Sequence, residues 1–383
     1  MTRRHGLAFF VALAAGVTGA LGSVINRRQL SSPEQLREQY DFIVVGGGTT
    51  GLTVADRLSE ALVNKTVLVI EYGEREYAPG IFDPPQIVWG GSSTRAGTWQ
   101  FSSLPNAEFL NKSASVLAGR TVGGSSAING MFFDRVSRFD LDAWAQVGSP
   151  EFDSSPHKWD YNGLFSYFKK GLTFTPPPAS SVEKYGYTWN ISAWGGTTPI
   201  HASFPPFLWA DNLVIREAWK EMGIRVNPEC ATGEKTGLCW IPLSEHPVTA
   251  RRSHAGLGHY ADVVGNNSAK PRTNYDLLAK HQVVRLIYPN GTQSGPPMVE
   301  VQAVNEMNPG SGRMFRITPK AEVIVSAGVF NTPMILHRSG IGPAAVLKKY
   351  GIPVVHDLPG VGSNLQDHSG SSISWNCKSL QRS

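Results

Sequence analysis

Asp41-Phe42-Ile43-Val44-Val45-Gly46-Gly47-Gly48-Thr49-Thr50-Gly51 runs from apolar residues straight into glycine. The apolar half has the unbroken character of a strand covered on both faces. Gly46, Gly48 and Gly51 fill the three positions of G-x-G-x-x-G, and Leu52, Ala55, Leu58 and Leu62 follow at helical spacing. Thr66-Val67-Leu68-Val69-Ile70 is a second buried-strand run, closed by Glu71. Together they predict a β-α-β unit. In such a unit the first glycine permits the tight turn, the second admits a pyrophosphate against the backbone, and the third lets helix and strand pack closely. The helix amino terminus adds unpaired N–H groups and a positive dipole. Glu71 stands 20 residues beyond Gly51, where a carboxylate can accept both ribose hydroxyl hydrogen bonds. These residues predict a dinucleotide site.

Toward the carboxyl terminus, residues 72–119 lose all regular pattern and are rich in Pro, Gly, Ser and aromatic side chains. So long an irregular stretch in a compact domain is expected to serve as a lid or cofactor cover. Trp89, Trp99 and Phe101 fall in it, either as core packing or as a cover for the cofactor or a substrate entrance. The first motif does not separate FAD from NAD. A second block, Gly119-Arg120-Thr121-Val122-Gly123-Gly124-Ser125-Ser126-Ala127-Ile128-Asn129-Gly130, does more. Its bare backbone and Ser hydroxyls, ahead of an expected helix, suit a flat ring or a second phosphate. Helical patterns follow at 139–147, 161–170 and 211–222. Residues 275–317 read as a β-meander punctuated by Asn290-Gly291 and Asn308-Pro309-Gly310. Residues 321–326 are a further buried strand, and Ala327-Gly328 lead into an apolar helix through Leu336. There is no internal repeat.

Toward the amino terminus, Arg3 and Arg4 precede an apolar run over 7–21 that ends in Ala20-Leu21-Gly22. That is the order of a secretory signal peptide over 1–22, too short and too glycine-diluted to read as a membrane anchor. A polar segment, 23–39, follows, with Ser31-Ser32-Pro33-Glu34 reading as a helix start. Five Asn-x-Ser/Thr sequons, at Asn64, Asn111, Asn190, Asn266 and Asn290, fit a secreted glycoprotein. Of the three cysteines, Cys230 and Cys239 are close enough to pair, which would leave Cys377 alone; spacing does not decide it.

Across the 383 residues, 41 % are hydrophobic and 17 % charged, which excludes a disordered or coiled-coil chain. The formal charge of +5 is too small to argue for nucleic acid or a membrane surface. No Cys-x-x-Cys, no His/Glu metal spacing and no Gly-x-Ser-x-Gly occurs, so metal and serine-hydrolase chemistry find no support.

With these motifs in place, the chain over 40–368 resembles the glucose–methanol–choline (GMC) family of FAD-dependent oxidoreductases. The resemblance rests on the first glycine turn, the second glycine block, Gly328-Val329-Phe330-Asn331-Thr332-Pro333-Met334-Ile335-Leu336-His337-Arg338-Ser339-Gly340-Ile341-Gly342, and Gly360-Val361-Gly362-Ser363-Asn364-Leu365-Gln366-Asp367-His368. Gly48-Thr49-Thr50-Gly51 and Ile70-Glu71-Tyr72-Gly73 are most similar to the fungal branch that includes patulin synthase and versicolorin B synthase, which acts on small polyketide-derived metabolites.

The resemblance implies an α/β fold: a Rossmann-like FAD-binding domain with an inserted α+β substrate domain, incomplete at the carboxyl terminus. FAD-binding parts are expected at 40–150 and 248–345, the substrate domain at 151–247, and a further substrate-domain start at 346–383. Gly46, Gly48, Thr49, Thr50 and Gly51 match the pyrophosphate loop. Glu71 matches the ribose acid, with Tyr72 beside the adenosine. Val122, Gly123, Asn129, Gly130, Met131 and Phe132 match the stretch lining the flavin ring. Val283 matches the position whose backbone meets adenine, and Ala327 and Gly328 match the turn under the cofactor. Some members attach FAD through a His in the second glycine block; Asn129 and the absence of any His there imply non-covalent FAD.

The family's proton-abstracting His and its partner lie beyond the Asn364–His368 motif, and the sequence ends 15 residues after His368. No catalytic base is therefore assigned. His254, His259, His281, His337, His356 and His368 read as structural or capping residues, and Glu183, Asp211 and Glu217 as solvated charges. The expected activity is oxidation of an alcohol group on a small, polyketide-derived metabolite, with oxygen or another acceptor taking the electrons. Neither nucleic acid nor a stable membrane anchor is implied. The alternatives are a redox-neutral cyclase or dehydratase with structural FAD, and an inactive, shortened homologue.

Overall fold

A computed structural model describes residues 29–74, 97–152, 158–264, 271–288 and 295–367. The expected signal peptide, Trp89, the sequons at Asn266 and Asn290, His368 and Cys377 lie outside the described residues.

Strand β1 (Gln29–Leu30) leads to β2 (Tyr40–Val45), helix α1 (Thr49–Ala61) and β3 (Val67–Ile70). The helix expected after Ser31-Ser32 amounts to one 3-10 turn, Pro33–Gln35. Its cap is present, with Gln35 Oε1 accepting from the Ser32 N–H at 3.2 Å, but the polar residues that follow offer no apolar face to bury. Next come β4 (Thr98–Ser102) and β5 (Ser115–Gly119), an antiparallel hairpin. The second glycine block is not followed by a helix. It closes in a 3-10 turn, Gly124–Ala127, because the chain then runs out to pair with residues 242–243, Phe133 N donating to Pro242 O at 2.9 Å.

Helices α2 (Arg138–Val147) and α3 (Tyr161–Lys170) start at Ser137 and Asp160, whose side chains accept from N–H groups of the first turn. Then follow β6 (Thr173–Thr175), α4 (Ala179–Tyr185), β7 (His201–Ser203) and α5 (Ala210–Glu221). A π-helical turn, Leu257–Ala261, runs into the short α6 (Asp262–Val264). The remainder comprises β8 (Tyr275–Leu278), β9 (His281–Ile287), β10 (Met298–Ala303), β11 (Met314–Ile317), β12 (Pro319–Val325), α7 (Gly328–Arg338), β13 (Ile341–Gly342), α8 (Ala344–Lys349) and β14 (His356–Asp357).

The main sheet is parallel, in the order β1-β8-β3-β2-β12. This corrects the meander expected over 275–317, whose first run, β8, belongs to the main sheet beside β3. All four β8 residues are buried, as a strand covered on both faces requires, and the turn at Ala279-Lys280 redirects the chain into β9. The antiparallel meander is β11-β10-β9.

Period-2 alternation divides the sheet's side chains between two cores. On one face Val44, Val67, Val69 and Leu277 pack with Leu52 and Ala55 of α1 and with Tyr260 and Val263. On the other, Ile43, Val45, Leu68, Ile70 and Leu278 pack with Val283, Leu286, Val299 and Val301 of the meander and Ile335 of α7. Two smaller clusters lie apart from the sheet, around Leu172, Trp194 and Ile200, and around Tyr185, Tyr187 and Phe204. Cys230 and Cys239 form a disulfide in that region.

Candidate functional site

The carboxyl ends of β2, β3 and β12 and the start of α1 surround a cleft of about 300 Å³. Its shape follows from glycine. Gly46 has φ +102°, and a Cβ there would lie 2.5 Å from the Ser326 carbonyl, so no other residue turns the chain at this point. A Cβ on Gly51 would lie 2.0 Å from Gly46 O, which is what lets α1 start this close to β2. Gly48 is the N-cap of α1 and supplies no side-chain acceptor, which leaves the helix dipole for an anion.

Glu71 closes the floor. It is 7 % exposed, and its carboxylate accepts from Gly47 N at 2.7 Å and from Gly73 N at 2.8 Å. Burial pushes its pKa up to about 7, against the lowering effect of those two backbone donors. The two glycine blocks, separate in sequence, meet here: Gly123 N donates to Gly47 O at 2.8 Å, and Gly124 and Ser125 join the cleft wall.

Of the residues singled out in the sequence, Gly46, Gly48, Thr49, Thr50, Glu71, Tyr72, Val283, Ala327 and Gly328 line this cleft. Gly51 sits behind it as packing. Val122 is buried in the core on the α1 face of the sheet, and Gly123 supports the wall through Gly47. Asn129, Gly130, Met131 and Phe132 lie away from the cleft lining. Asn129 Oδ1 instead accepts from Arg252 Nη1 at 2.8 Å and from Met131 N at 3.1 Å; Met131 is buried, and Phe132 is 67 % exposed.

Trp99 and Phe101 do reach the cleft. Sequence reasoning missed Ser326, Phe330, Asn331, Met334 and Arg338. The helix pattern alone offered only a weak signal: 327, 331, 334 and 338 share one face, and two of those four, Asn331 and Arg338, are polar, but where that face lands is set by the sheet.

The histidines are largely engaged in structure. His259 Nδ1 lies 2.7 Å from Asp56 Oδ2, both buried, and ties the π-helical turn to α1. His254 Nδ1 accepts from Gly256 N at 3.2 Å, His337 Nε2 lies 3.2 Å from Val361 O, and His281 Nδ1 lies 2.7 Å from Ala279 O. His281 borders the cleft. Among the described residues no His/Cys/Asp/Glu group has metal-site geometry, and no helix is long and apolar enough to cross a membrane.

Residues 40–370 match the protein family described as GMC oxidoreductase. The chain belongs to the GMC oxidoreductase family. Dehydrogenase xptC of Emericella nidulans is 33 % identical over 357 residues, covering 92 % of this chain and 52 % of the relative. The GMC oxidoreductase family protein Mala s 12 of Malassezia sympodialis is 29 % identical, covering 89 % and 53 %. Among solved structures, a fungal aryl-alcohol oxidase superposes with TM-score 0.80 at 57 % identity, over 87 % of this chain and 52 % of that one. An FAD-dependent oxidoreductase from Chaetomium thermophilum gives TM-score 0.74 at 34 % identity, over 86 % and 52 %. The chain thus spans about half the length of the curated relatives it matches.

GMC oxidoreductases are FAD-dependent flavoproteins, and the cleft fits the adenosine diphosphate half of that cofactor. Three observations carry the fit. Glu71 is a desolvated carboxylate held, among the described residues, by two backbone N–H groups, with acceptor capacity left over for hydroxyl donors. The α1 amino terminus opens on the cleft with no capping side chain. Gly328, at φ +88°, has nothing within 4 Å of where a Cβ would stand, so the backbone is bared toward the cleft it lines.

Proposed function

We propose that this GMC oxidoreductase binds FAD non-covalently and serves in the oxidation of an alcohol group on a small, polyketide-derived metabolite. The observation that carries the reading is the buried Glu71 beside the uncapped α1 terminus, a carboxylate whose two backbone donors leave it acceptor capacity for a ligand's hydroxyl groups. Glu71 would hold the ribose hydroxyls, the first turn of α1 the pyrophosphate, and the backbone at Val283 the adenine edge. FAD, when bound, supplies a hydride acceptor. The chain's own residues bind and orient it and exclude water from its nucleotide end. The 57 % identity to a fungal aryl-alcohol oxidase supports an aromatic alcohol, and the similarity to dehydrogenase xptC supports an oxidation. Oxygen or another small acceptor would take the electrons. Asn129, with no His in 119–130, supports non-covalent attachment. The leader over 1–22 supports entry to the secretory pathway.

The test is the visible spectrum of the purified, desalted chain. Flavin bands near one per chain are expected, with all flavin released to the supernatant on acid precipitation and bleaching by a benzylic alcohol under anaerobic conditions. A colourless protein that also fails to take up added FAD overturns the cofactor assignment. Product formation without bleaching overturns the oxidation and leaves a redox-neutral reaction.

A further inference from the structure

Helix α5 and the segment 226–240 border a cavity of about 240 Å³. Asn212, Ile215, Arg216 and Trp219, at helical spacings of three and four, supply the α5 side. Val226 and Leu238 line it from the segment. They are brought together because Leu238 N donates to Arg225 O at 2.8 Å and Asn227 N to Leu238 O at 2.7 Å. The Cys230–Cys239 disulfide crosslinks the same segment, and Cys239 borders the cavity. Trp240 follows, its indole fixed by Nε1 donating to Gly186 O at 2.8 Å. Hydrogen bonds and a covalent link thus set this wall, as in a small-molecule site formed before its ligand arrives.

The lining narrows the occupant. Two indoles and three aliphatic side chains make it largely apolar. One polar atom is the exception: the Thr188 hydroxyl is buried and has no hydrogen-bond partner. Buried hydroxyls are nearly always bonded, so an orphan beside a cavity is a hydrogen-bonding position for whatever enters. Asn212 adds a carboxamide, which both donates and accepts. Arg216 is paired with Glu217 Oε1 at 3.1 Å, so its charge is met without a ligand anion. A cavity of roughly 150 Å³ suffices for benzene, and sites for drug-sized ligands begin near about 300 Å³. One substituted ring lies between those limits. An aromatic ring gains from edge or offset contact with indoles beyond the area it buries. A sugar would instead turn hydroxyls toward Ile215, Val226 and Leu238.

We propose that this cavity binds a single-ring aromatic alcohol, with the ring among Trp219, Trp240 and the aliphatic side chains and the hydroxyl bonded to Thr188 and Asn212. The ligand class is that of the substrate proposed above, yet the assignment is read from this lining and holds whatever the reaction. The cavity shares no lining residue with the nucleotide cleft, so it also stands without the FAD reading.

The experiment labels the ten tryptophans of the full 383-residue chain as 5-fluorotryptophan and follows fluorine NMR during titration with benzyl alcohol. Trp219→Phe and Trp240→Phe assign the two cavity signals by their disappearance. Both signals are expected to shift along one saturating curve. Toluene is expected to need about fivefold more, the scale of one hydrogen bond. Thr188→Val, which keeps the shape and removes the hydroxyl, is expected to bring benzyl alcohol to the affinity of toluene. Val226→Phe fills the cavity and is expected to abolish both shifts while the other signals stay in place. Ile215→Phe, at a position 53 % exposed, replaces it if that chain does not fold. Signals that stay still up to the solubility of benzyl alcohol overturn the proposal, as does a shift that survives the filled cavity. Toluene binding as tightly as the alcohol overturns it too. So does benzoate or methyl glucoside moving the two signals at lower concentration, which would make the site one for an anion or a sugar. A chain that takes up no FAD leaves all these readouts in hand, so the two readings fail separately.

Discussion

Glu71 shows how one side chain can serve a ligand at the expense of the empty fold. Its carboxyl ionises near 4.5 when exposed and near 7 in place, so between those values the unfolded chain binds fewer protons than the folded one. Stability from this group is therefore fully present below pH 4.5 and falls as pH rises through about 7. Glu245, buried with Ser203 Oγ at 3.2 Å from its Oε1, is pushed up to about 7 by the same desolvation and adds a second loss of the same sign. Each accounts for up to about 3 kcal/mol. The ligand-free chain is expected to show a lower urea midpoint at pH 8 than at pH 5, and Glu245→Gln to remove about half of that difference. An unchanged slope in Glu245→Gln would count against its burial as a charge. Glu71→Gln separates the two roles. It should flatten the pH dependence of the ligand-free midpoint, because the titrating group is gone, while weakening FAD binding about tenfold, since a hydrogen bond to a charged acceptor is lost. A variant that keeps its FAD binding would make Glu71 a purely structural acid.

At the scale of elements, the β2–α1 junction is the most constrained part of the chain. Gly51→Ala places a methyl 2.0 Å from Gly46 O, against backbone that cannot move without shifting β2 or α1. A loss of about 3 kcal/mol is expected in chemical denaturation, in the range of overpacked cores, with FAD uptake falling as the turn deforms. Gly48→Ala meets Gly124 at an ordinary 3.9 Å and should be milder for the empty fold, which gives the comparison its control. This junction was legible in the sequence because every requirement is local: a buried strand, glycines at fixed offsets, helical spacing and an acid at the next strand end. The site's other wall was less so. β8 looked like the first strand of a meander, since a four-residue apolar run carries no mark of which neighbour it will pair with, and pairing with β3 is a contact across some 200 residues of chain. Phe330 and Arg338 went unread because their part in the site depends on where α7 lands, which the sheet decides and not the helix. Asn129 to Phe132, which the resemblance assigns to the flavin ring, lie outside this nucleotide cleft, and Arg252, more than a hundred residues on, holds Asn129 where it is.

At the scale of the whole molecule, apolar surface is distributed unevenly. The sheet is closed on both faces, whereas α2 and the segment before it leave Phe139 79 % and Val147 86 % exposed, with Phe132, Val136 and Trp144 also open to solvent. An open hollow between α2 and α3, lined by Leu141, Trp144, Tyr167 and Phe168, adjoins them. Contiguous apolar patches of more than a few hundred Å² are uncommon on soluble monomers and bind apolar probes. The 383-residue chain is thus expected to bind the dye ANS under native conditions, at a pH where its thermal unfolding is still cooperative. Phe139→Glu together with Val147→Glu should reduce the dye signal severalfold and slow concentration-dependent association. Their thermal midpoint should stay within a few degrees of the parent, because neither side chain contributes to a buried cluster. A pair that lowers the midpoint sharply would mean that these side chains are covered in solution. ANS binding that disappears when FAD is added would instead place the dye in the nucleotide cleft. The α2 face and the cleft are thereby told apart by one titration.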